Sequence, residues 1–318
     1  MKVKNILIGM MATTLLMACS NDEVIRSIDD EQQAQIQLSA TMETMLTRAA
    51  DALQETSINT SSTPGVYVYR TTKTAIDNSY GYENIAATVG TGGVLSTSTM
   101  YYPQDKGSVD VYVYAPRTTS SPSMTAMPIT VATDQSAAAG YLASDFIYGK
   151  ATAAFPTTFP AGPINVTLKH ALCKIKLNIQ AGTGSSAIAN ADVTEVKLGD
   201  GTTNPYLSTT VNLTDATLAS AVATATSGTT GIVQFANALT AQATVAAILP
   251  PQTLTNCPLS VKIGSATYTA TLSSPTGGFT AGNEYIYTVK VNVEGIAITA
   301  ISIATWNSIN VPGDIDVQ

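Results

Sequence analysis

Apolar and polar residues alternate without a break from residue 34 to residue 43. One parity carries only apolar side chains, namely Ala34, Ile36, Leu38, Ala40 and Met42. Because successive side chains of an extended chain point to opposite faces, this pattern predicts a strand that buries one face. We expect an edge strand, in which each large apolar side chain contributes about 1.5 to 3 kcal/mol on full burial.

The chain beyond residue 60 carries the signals of short strands separated by turn residues. Apolar positions recur at alternate residues in "GVYVYR", "SVDVYVYAP" and "NEYIYTVKVNV". Helical periodicity extends over no more than about two turns in any segment. We therefore predict an all-β fold with antiparallel-type strands, in which residues 117–143 form a long surface excursion around one short strand.

The segment "INVTLKHALCKIKLNI" contains a change of face. Its apolar set switches parity near residues 171–173, which predicts either a β-bulge or a passage between two sheets. The small-residue stretch "AGTGSSA" follows and predicts a linker. The chain is thus expected to form one β-domain over residues 49–182 and a second over residues 183–318.

The beginning of the chain has the organisation of a secretory signal. Lys2 and Lys4 precede an apolar stretch that is too short to cross about 30 Å of bilayer as a helix. The stretch ends at Cys19, and the residues before this cysteine resemble the lipobox of bacterial lipoproteins, in which the cysteine carries the lipid. The alternative is an ordinary signal peptide with a chance cysteine. Residues 20–33 are polar and acidic and predict a flexible tether.

Composition narrows the function classes. Of the 318 residues only 12% are charged, the formal net charge is -7, and Lys and Arg form no cluster beyond the first residues. This excludes nucleic acid as a partner, because a nucleic-acid-binding protein needs a basic surface. The sequence leaves open whether Cys173 and Cys257 form a disulfide or remain buried thiols.

The sequence offers little for catalysis. His170 is the only histidine, and its place in a predicted strand favours a core residue that is hydrogen-bonded to the backbone. One histidine, two separated thiols and no tight carboxylate cluster do not make a metal site, and "GTGG" at residues 90–93 predicts a turn. We expect no enzyme, metal or cofactor, although a secreted hydrolase would need only an acidic pair in a cleft. Core positions are also expected for four tyrosines at alternate strand positions, which are Tyr67, Tyr69, Tyr112 and Tyr114.

A series of segments follows in a distinctive order along the chain. After the lipobox cysteine and the acidic tether come an alternating strand followed by "TRA", then "MYYPQDKGSVDVYVYAP", "SDFIYGK", "VTLKHALCKIKLNI", "AILPPQTL" and "YIYTVKVNVEGIAIT". Together they resemble the fimbrillin family of the Bacteroidales, the type V pilins. The resemblance implies two β-sandwich-like domains of transthyretin-related topology. It also implies a subunit of a surface fimbria that assembles by strand exchange.

The same resemblance implies roles for residues near both ends of the chain. Residues 1–18 would be the signal peptide, and lipid on Cys19 would hold the precursor at the outer membrane. Residues 19–48 would contain the tether and a removable strand, the latter within residues 34–46. An arginine-specific protease would then cut between Arg48 and Ala49. Arg26 is a rival site, but a cut there precedes the strand and would leave it in place.

Release of that strand would open a groove for a strand from the C-terminus of another subunit. The donor candidates are Ile309, Val311, Ile315 and Val317. Pro312 and Gly313 interrupt them, which makes a tip or anchor subunit an alternative to a stalk subunit. The expected partners are other fimbrial subunits. The competing hypothesis is a surface lipoprotein adhesin that never polymerises and binds a host protein or glycan.

Overall fold

A computed structural model describes residues 33–43, 54, 57–73, 75–76, 80–120, 123–181, 193–215, 231–237, 244–292 and 295–305. Within these residues strands predominate, which confirms the all-β prediction. The first nine strands are β1 (Leu38–Met42), β2 (Gly65–Arg70), β3 (Tyr82–Val89), β4 (Val94–Thr97), β5 (Val109–Ala115), β6 (Met127–Thr130), β7 (Ile147–Ala153), β8 (Ile164–His170) and β9 (Cys173–Ala181). The others are β10 (Val193–Leu198), β11 (Ser208–Val211), β12 (Val233–Gln234), β13 (Ala236–Asn237), β14 (Thr244–Leu249), β15 (Cys257–Ile263), β16 (Ala266–Leu272), β17 (Asn283–Asn292) and β18 (Gly295–Thr305).

Seven strands form a closed sheet in the order β1-β4-β3-β2-β5-β7-β8. The neighbours are antiparallel except β1 and β8, which run parallel from Leu38 opposite Ile164 to Met42 opposite Leu168. β1 also pairs with β4 in the antiparallel sense. The strand predicted from the alternation is therefore confirmed, but the expectation of an edge strand is wrong. β1 lies between two neighbours and joins the ends of a sheet that would otherwise be open.

The interior of the closed sheet is filled by alternate residues of its strands. Strands β2 and β5 contribute five valines with no exposed surface, which are Val66, Val68, Val109, Val111 and Val113. Because the side-chain period of a strand is two, the intervening residues face the outside of the sheet. These include the four tyrosines of β2 and β5, which are also buried because a second hydrophobic cluster covers this outer face.

The passage from β8 to β9 moves the chain from one sheet to another. β8 belongs to the closed sheet, and β9 lies in a five-stranded sheet of order β13-β14-β9-β17-β18. Ala171 and Leu172 form the bend between the two strands and are completely buried. The parity switch near residues 171–173 thus marks a passage between sheets, one of the two predicted alternatives.

The five-stranded sheet shares a core with a four-stranded sheet of order β12-β10-β15-β16. Ile175 and Leu177 of β9 and Val261 of β15 belong to this one cluster, as do the outward-facing tyrosines of the closed sheet. The hydrophobic cluster therefore continues from the outer face of the closed sheet into the space between the other two sheets. The predicted division between residues 182 and 183 lies outside the described residues and stays a prediction.

The predicted surface excursion over residues 117–143 contains more regular structure than expected. Its one predicted strand is β6, which pairs with β11 in a two-stranded sheet. A seven-residue helix, α1 (Ala138–Ser144), begins near its end and buries Tyr141; its length stays within the two helical turns that the sequence analysis allowed. None of the helices in the described part of the chain is long and apolar enough to cross a membrane.

Candidate functional site

The candidate functional site is the groove between β4 and β8 that β1 occupies in the closed sheet. The five alternate apolar side chains from Ala34 to Met42 are each at most 3% exposed. They supply five of the twenty buried members of the cluster inside the closed sheet. On the opposite parity, Gln35, Gln37 and Thr41 are exposed to solvent. The alternation in the sequence therefore corresponds to one buried face and one mostly exposed face.

Backbone hydrogen bonds hold β1 and the residues next to it on both sides. On the β8 side, the amide of Glu43 donates to the carbonyl of Leu168 and the amide of Ile164 donates to Gln37, both at 2.8 Å. On the other side, the amide of Ile36 donates to the carbonyl of Met100 at 2.8 Å. The groove thus offers backbone donors and acceptors along both neighbouring strands, and its interior surface is apolar.

One side chain of the polar parity is also buried. Ser39 is 9% exposed, and its hydroxyl donates to the Oδ1 atom of Asn165 on β8. Because these two residues face each other in the parallel register, the hydrogen bond fixes the register of β1 against β8. A strand that slipped by one residue would lose this contact and turn its apolar face to solvent.

The turn between β3 and β4 packs directly on the backbone of β1. Residues Thr91–Gly93 form a short 3-10 turn, as "GTGG" predicted. Gly93 has a φ of 79°, and a Cβ atom at this position would lie 2.1 Å from the carbonyl oxygen of Ala40. Both the positive φ and the close approach require glycine here. The turn therefore contacts the backbone of β1 so closely that no side chain fits between them.

The residues to which the sequence assigned processing and exchange roles lie outside the described residues. These are the lipidation candidate Cys19, the cleavage candidates Arg48 and Ala49, the rival Arg26, and the donor candidates Ile309, Val311, Ile315 and Val317. What is described is the strand between the two arginines and the strand that precedes the donor candidates. Their roles stay predictions.

His170 is buried, as expected, but its described partner is a carboxylate rather than the backbone. Its Nδ1 atom lies 2.7 Å from Oδ1 of Asp145, and both side chains are 1% exposed. The side-chain amide of Gln54 donates to Oδ2 of the same carboxylate at 3.3 Å, and the hydroxyl of Ser62 donates to the amide oxygen of Gln54 at 2.7 Å. This network has no opening for a substrate, so we interpret it as structural. Its partners are 8 to 91 residues apart, and no sequence signal joined them.

The two remaining cysteines are free thiols, which settles the alternative that the sequence left open. Burial raises the pKa of Cys173 far above its ordinary range, and its Sγ atom lies 3.1 Å from the carbonyl oxygen of Leu249. Burial also raises the pKa of Cys257 from 9.0 to about 11. Both thiols are therefore protonated and unreactive at neutral pH.

The four tyrosines of β2 and β5 are core residues, as predicted. Each is at most 2% exposed. The ring centroids of Tyr67 and Tyr114 lie 6.0 Å apart, and the hydroxyl of Tyr114 donates to Oδ1 of Asn84 at 2.7 Å. Rings that are buried and already stacked on one another present no face to a sugar. Among the described residues, no group of three or more His, Cys, Asp or Glu is placed to hold a metal ion.

β18 is the second feature relevant to function. It is hydrogen-bonded to β17 and ends the five-stranded sheet as far as the described residues extend. Ile301 and Ile303 on this strand are 38% and 55% exposed. The strand precedes the predicted donor segment by a few residues.

Solved structures of other proteins share this fold. A protein from Bacteroides ovatus described as a candidate cell adhesion protein aligns with a TM-score of 0.64 at 20% identity, covering 87% of this chain and 99% of its own. A second candidate cell adhesion protein, from Bacteroides uniformis, aligns with a TM-score of 0.59 at 18% identity over 86% of this chain and 99% of its own. A fimbrial protein from Bacteroides vulgatus aligns with a TM-score of 0.50 at 14% identity over 86% and 99%.

At these identities the structural similarities show the fold alone. No curated protein sequence matches this chain. A sequence model described as Fimbrillin-like matches residues 47–306, which is most of the chain and contains every described strand except β1. The chain therefore belongs to the fimbrillin-like family.

Proposed function

We propose that this protein is a structural subunit of a surface fimbria that polymerises by strand exchange after its precursor is cut at Arg48. The observation that carries the proposal is the position of β1, which closes an otherwise open sheet with five buried apolar side chains. A strand in that position seals the core of the precursor. Its removal leaves a groove that a strand of the same pattern can fill.

The energetics favour replacement over an empty groove. Ile36, Leu38 and Met42 together contribute roughly 5 to 9 kcal/mol if each is worth about 1.5 to 3 kcal/mol on burial. That sum is similar to the whole stability of a typical domain, about 5 to 15 kcal/mol. Removal of β1 therefore exposes apolar surface and unpaired strand edges, and their burial strongly favours the binding of another apolar strand. A donor strand would restore both the buried side chains and the backbone hydrogen bonds.

The donor segment would come from residues 309–317 of another copy, and the contact would be head-to-tail. Such a contact does not close on itself and so produces a fibre. Ile309 and Val311 continue one apolar parity, but Pro312 has no backbone N–H to donate to the neighbouring strand at the edge of the groove. A tip or anchor position in the fibre, in which the tail is used differently, is the alternative within the same function.

The order of processing follows from where the cuts lie relative to β1. The precursor would reach the outer membrane through lipid on Cys19. Glu43 is the last described residue of the segment that contains β1. A cut after Arg48 lies five residues further along the chain and would free β1 together with the lipid. A cut after Arg26 lies upstream of β1 and would release the lipid but leave the groove filled.

Treatment of the purified precursor with an arginine-specific protease tests this proposal. We expect cleavage after Arg48, loss of the released strand and growth of polymers, measured by N-terminal sequencing and electron microscopy. Arg48→Lys should remain uncut there and monomeric, while Arg26→Lys, the matched control, should polymerise normally. If Arg48 is protected, or if the cut protein stays monomeric, the proposal is wrong.

A non-polymerising surface lipoprotein that binds a host protein or glycan is the second candidate. The names of the Bacteroides ovatus and Bacteroides uniformis structures, both candidate cell adhesion proteins, favour it. The two functions predict different mature proteins. Recovery of the chain from the cell surface with lipidated Cys19 and an intact β1 supports the adhesin, whereas an N-terminus at Ala49 supports the fimbrial subunit.

A further inference from the structure

Five large apolar side chains of the described residues are 37% to 55% exposed, and they are Ile76, Val94, Ile232, Ile301 and Ile303. Single exposed apolar residues are normal on protein surfaces. Three of these five, however, lie beside the strands of the proposed exchange. Val94 is on β4 opposite Ser39 of β1, and the other two are on β18. Apolar surface is thus left open both at the groove and next to the predicted donor.

The isoleucines of β18 form a row on one face of the strand. Ile296, Ile298, Ile301 and Ile303 stand opposite the buried Val291, Val289, Tyr287 and Tyr285 of β17 and therefore share their face. Exposure increases along this row in the direction of the tail. The first two isoleucines are partly buried in a groove of about 700 Å³ between β16 and β18, whereas the third and fourth are 38% and 55% exposed.

Among the described residues β18 is an edge strand, and its own sequence carries little of the protection that edge strands usually have. Residues 295–305 contain no charged residue and no proline. Exposed edge strands are normally protected by charges, proline or a bulge that turns them away from other chains. The register between β17 and β18 shifts between Thr288 and Val289. The exposed isoleucines lie beyond this shift, nearer to the C-terminal end of β18. This end of the strand is suited to a partner rather than to solvent.

The short connection to the donor candidates identifies that partner. Four residue steps separate Thr305, the end of β18, from Ile309, and they span at most about 14 Å. If the tail occupies the groove of a second copy, the outer half of β18 must lie close to the rim of that groove. We propose that Ile301 and Ile303 form a second contact with the receiving copy, against the rim that carries Val94. This inference rests on the proposed function.

Photo-crosslinking tests the contact without removing apolar surface. The full precursor carrying Ile303→p-benzoylphenylalanine is cut by the arginine-specific protease, illuminated and examined by mass spectrometry. We expect crosslinks from position 303 to the β3–β4 region of a second copy, only after cleavage. The same probe at Ile232, which is 37% exposed and directly precedes β12 of the four-stranded sheet, should give no crosslink between copies. Crosslinks confined to the probe's own chain, or to another face of the second copy, would overturn the contact.

Variants then separate this contact from strand exchange itself. The double variant I301T/I303T keeps β-branched side chains but removes apolar surface, and we expect the monomer concentration at which polymers form to rise at least about tenfold. Ile232→Thr is the control and should polymerise normally. Binding of a synthetic peptide of residues 306–318 to the cut monomer should be unchanged in the double variant, because the groove is intact.

The combined results distinguish the two proposals. If the peptide binds and I301T/I303T polymerises as well as the wild type, the second contact is wrong and strand exchange stands. If the wild-type protein neither binds the peptide nor polymerises, strand exchange fails and the second contact fails with it.

Discussion

Replacement of Leu38 by alanine is expected to destabilise the precursor but not the protein from which β1 has been removed. Leu38 is 2% exposed inside the closed sheet, where it pairs with Leu95 on one side and with Ile164 on the other. Leucine-to-alanine changes at such positions cost about 2 to 5 kcal/mol, because apolar burial is lost and a cavity remains. We expect a loss in this range for the precursor.

The assay is urea unfolding followed by tyrosine fluorescence or circular dichroism, with the midpoint converted to a free energy through the common slope. Thr41→Ala is the matched control, since Thr41 lies on the exposed parity of the same strand and should cost less than about 0.5 kcal/mol. After cleavage and release of β1, the protein obtained from the Leu38→Ala precursor should be indistinguishable from the protein obtained from the wild-type precursor. An equal loss in both variants, or a loss that persists after release, would refute the assignment of β1 as a removable part of the core.

Three further outcomes are expected. Gly93→Ala places a Cβ atom against the carbonyl of Ala40 and should speed protease release of β1, whereas Gly92→Ala, at a similar φ of 70° but with open space around it, should not; equal rates would exclude the clash as the cause. Asp145→Ala removes the acceptor of the buried histidine and should cost about 3 to 5 kcal/mol in urea unfolding, and a cost under about 1 kcal/mol would argue against a structural network. Because burial raises the Cys257 pKa to about 11, the stability that it contributes is complete below pH 9.0 and declines as the pH rises towards 11. The wild type should therefore lose more of its melting temperature between pH 8 and pH 11 than Cys257→Ala does, and parallel curves would contradict this.

The sequence predicts local structure of this protein better than it predicts which strands become neighbours. The alternation at residues 34–43 identifies both the strand and its buried face, because strand geometry alone links parity to side. The parity switch near residues 171–173 identifies the passage between sheets for the same reason. These signals need no knowledge of the rest of the chain.

The pairing of β1 could not be predicted in this way. Ser39 contacts Asn165, 126 residues further along the chain, and the parallel pairing with β8 has no local signature. The edge assignment was therefore a default that the tertiary structure overrode. The buried contact between Gln54 and Asp145 spans 91 residues and was missed for the same reason.

The closure of the sheet by β1 also has a consequence for the order of folding. β1 is synthesised before every other described strand, yet the partner that receives it, β8, is made more than a hundred residues later. The hairpins β2–β3, β3–β4 and β7–β8 can form early from local contacts, while the high contact order of β1 makes its docking late. A strand that docks last is also one whose departure breaks none of those hairpins. The topology that delays β1 during folding is thus also the topology that the proposed release of β1 from a finished subunit requires.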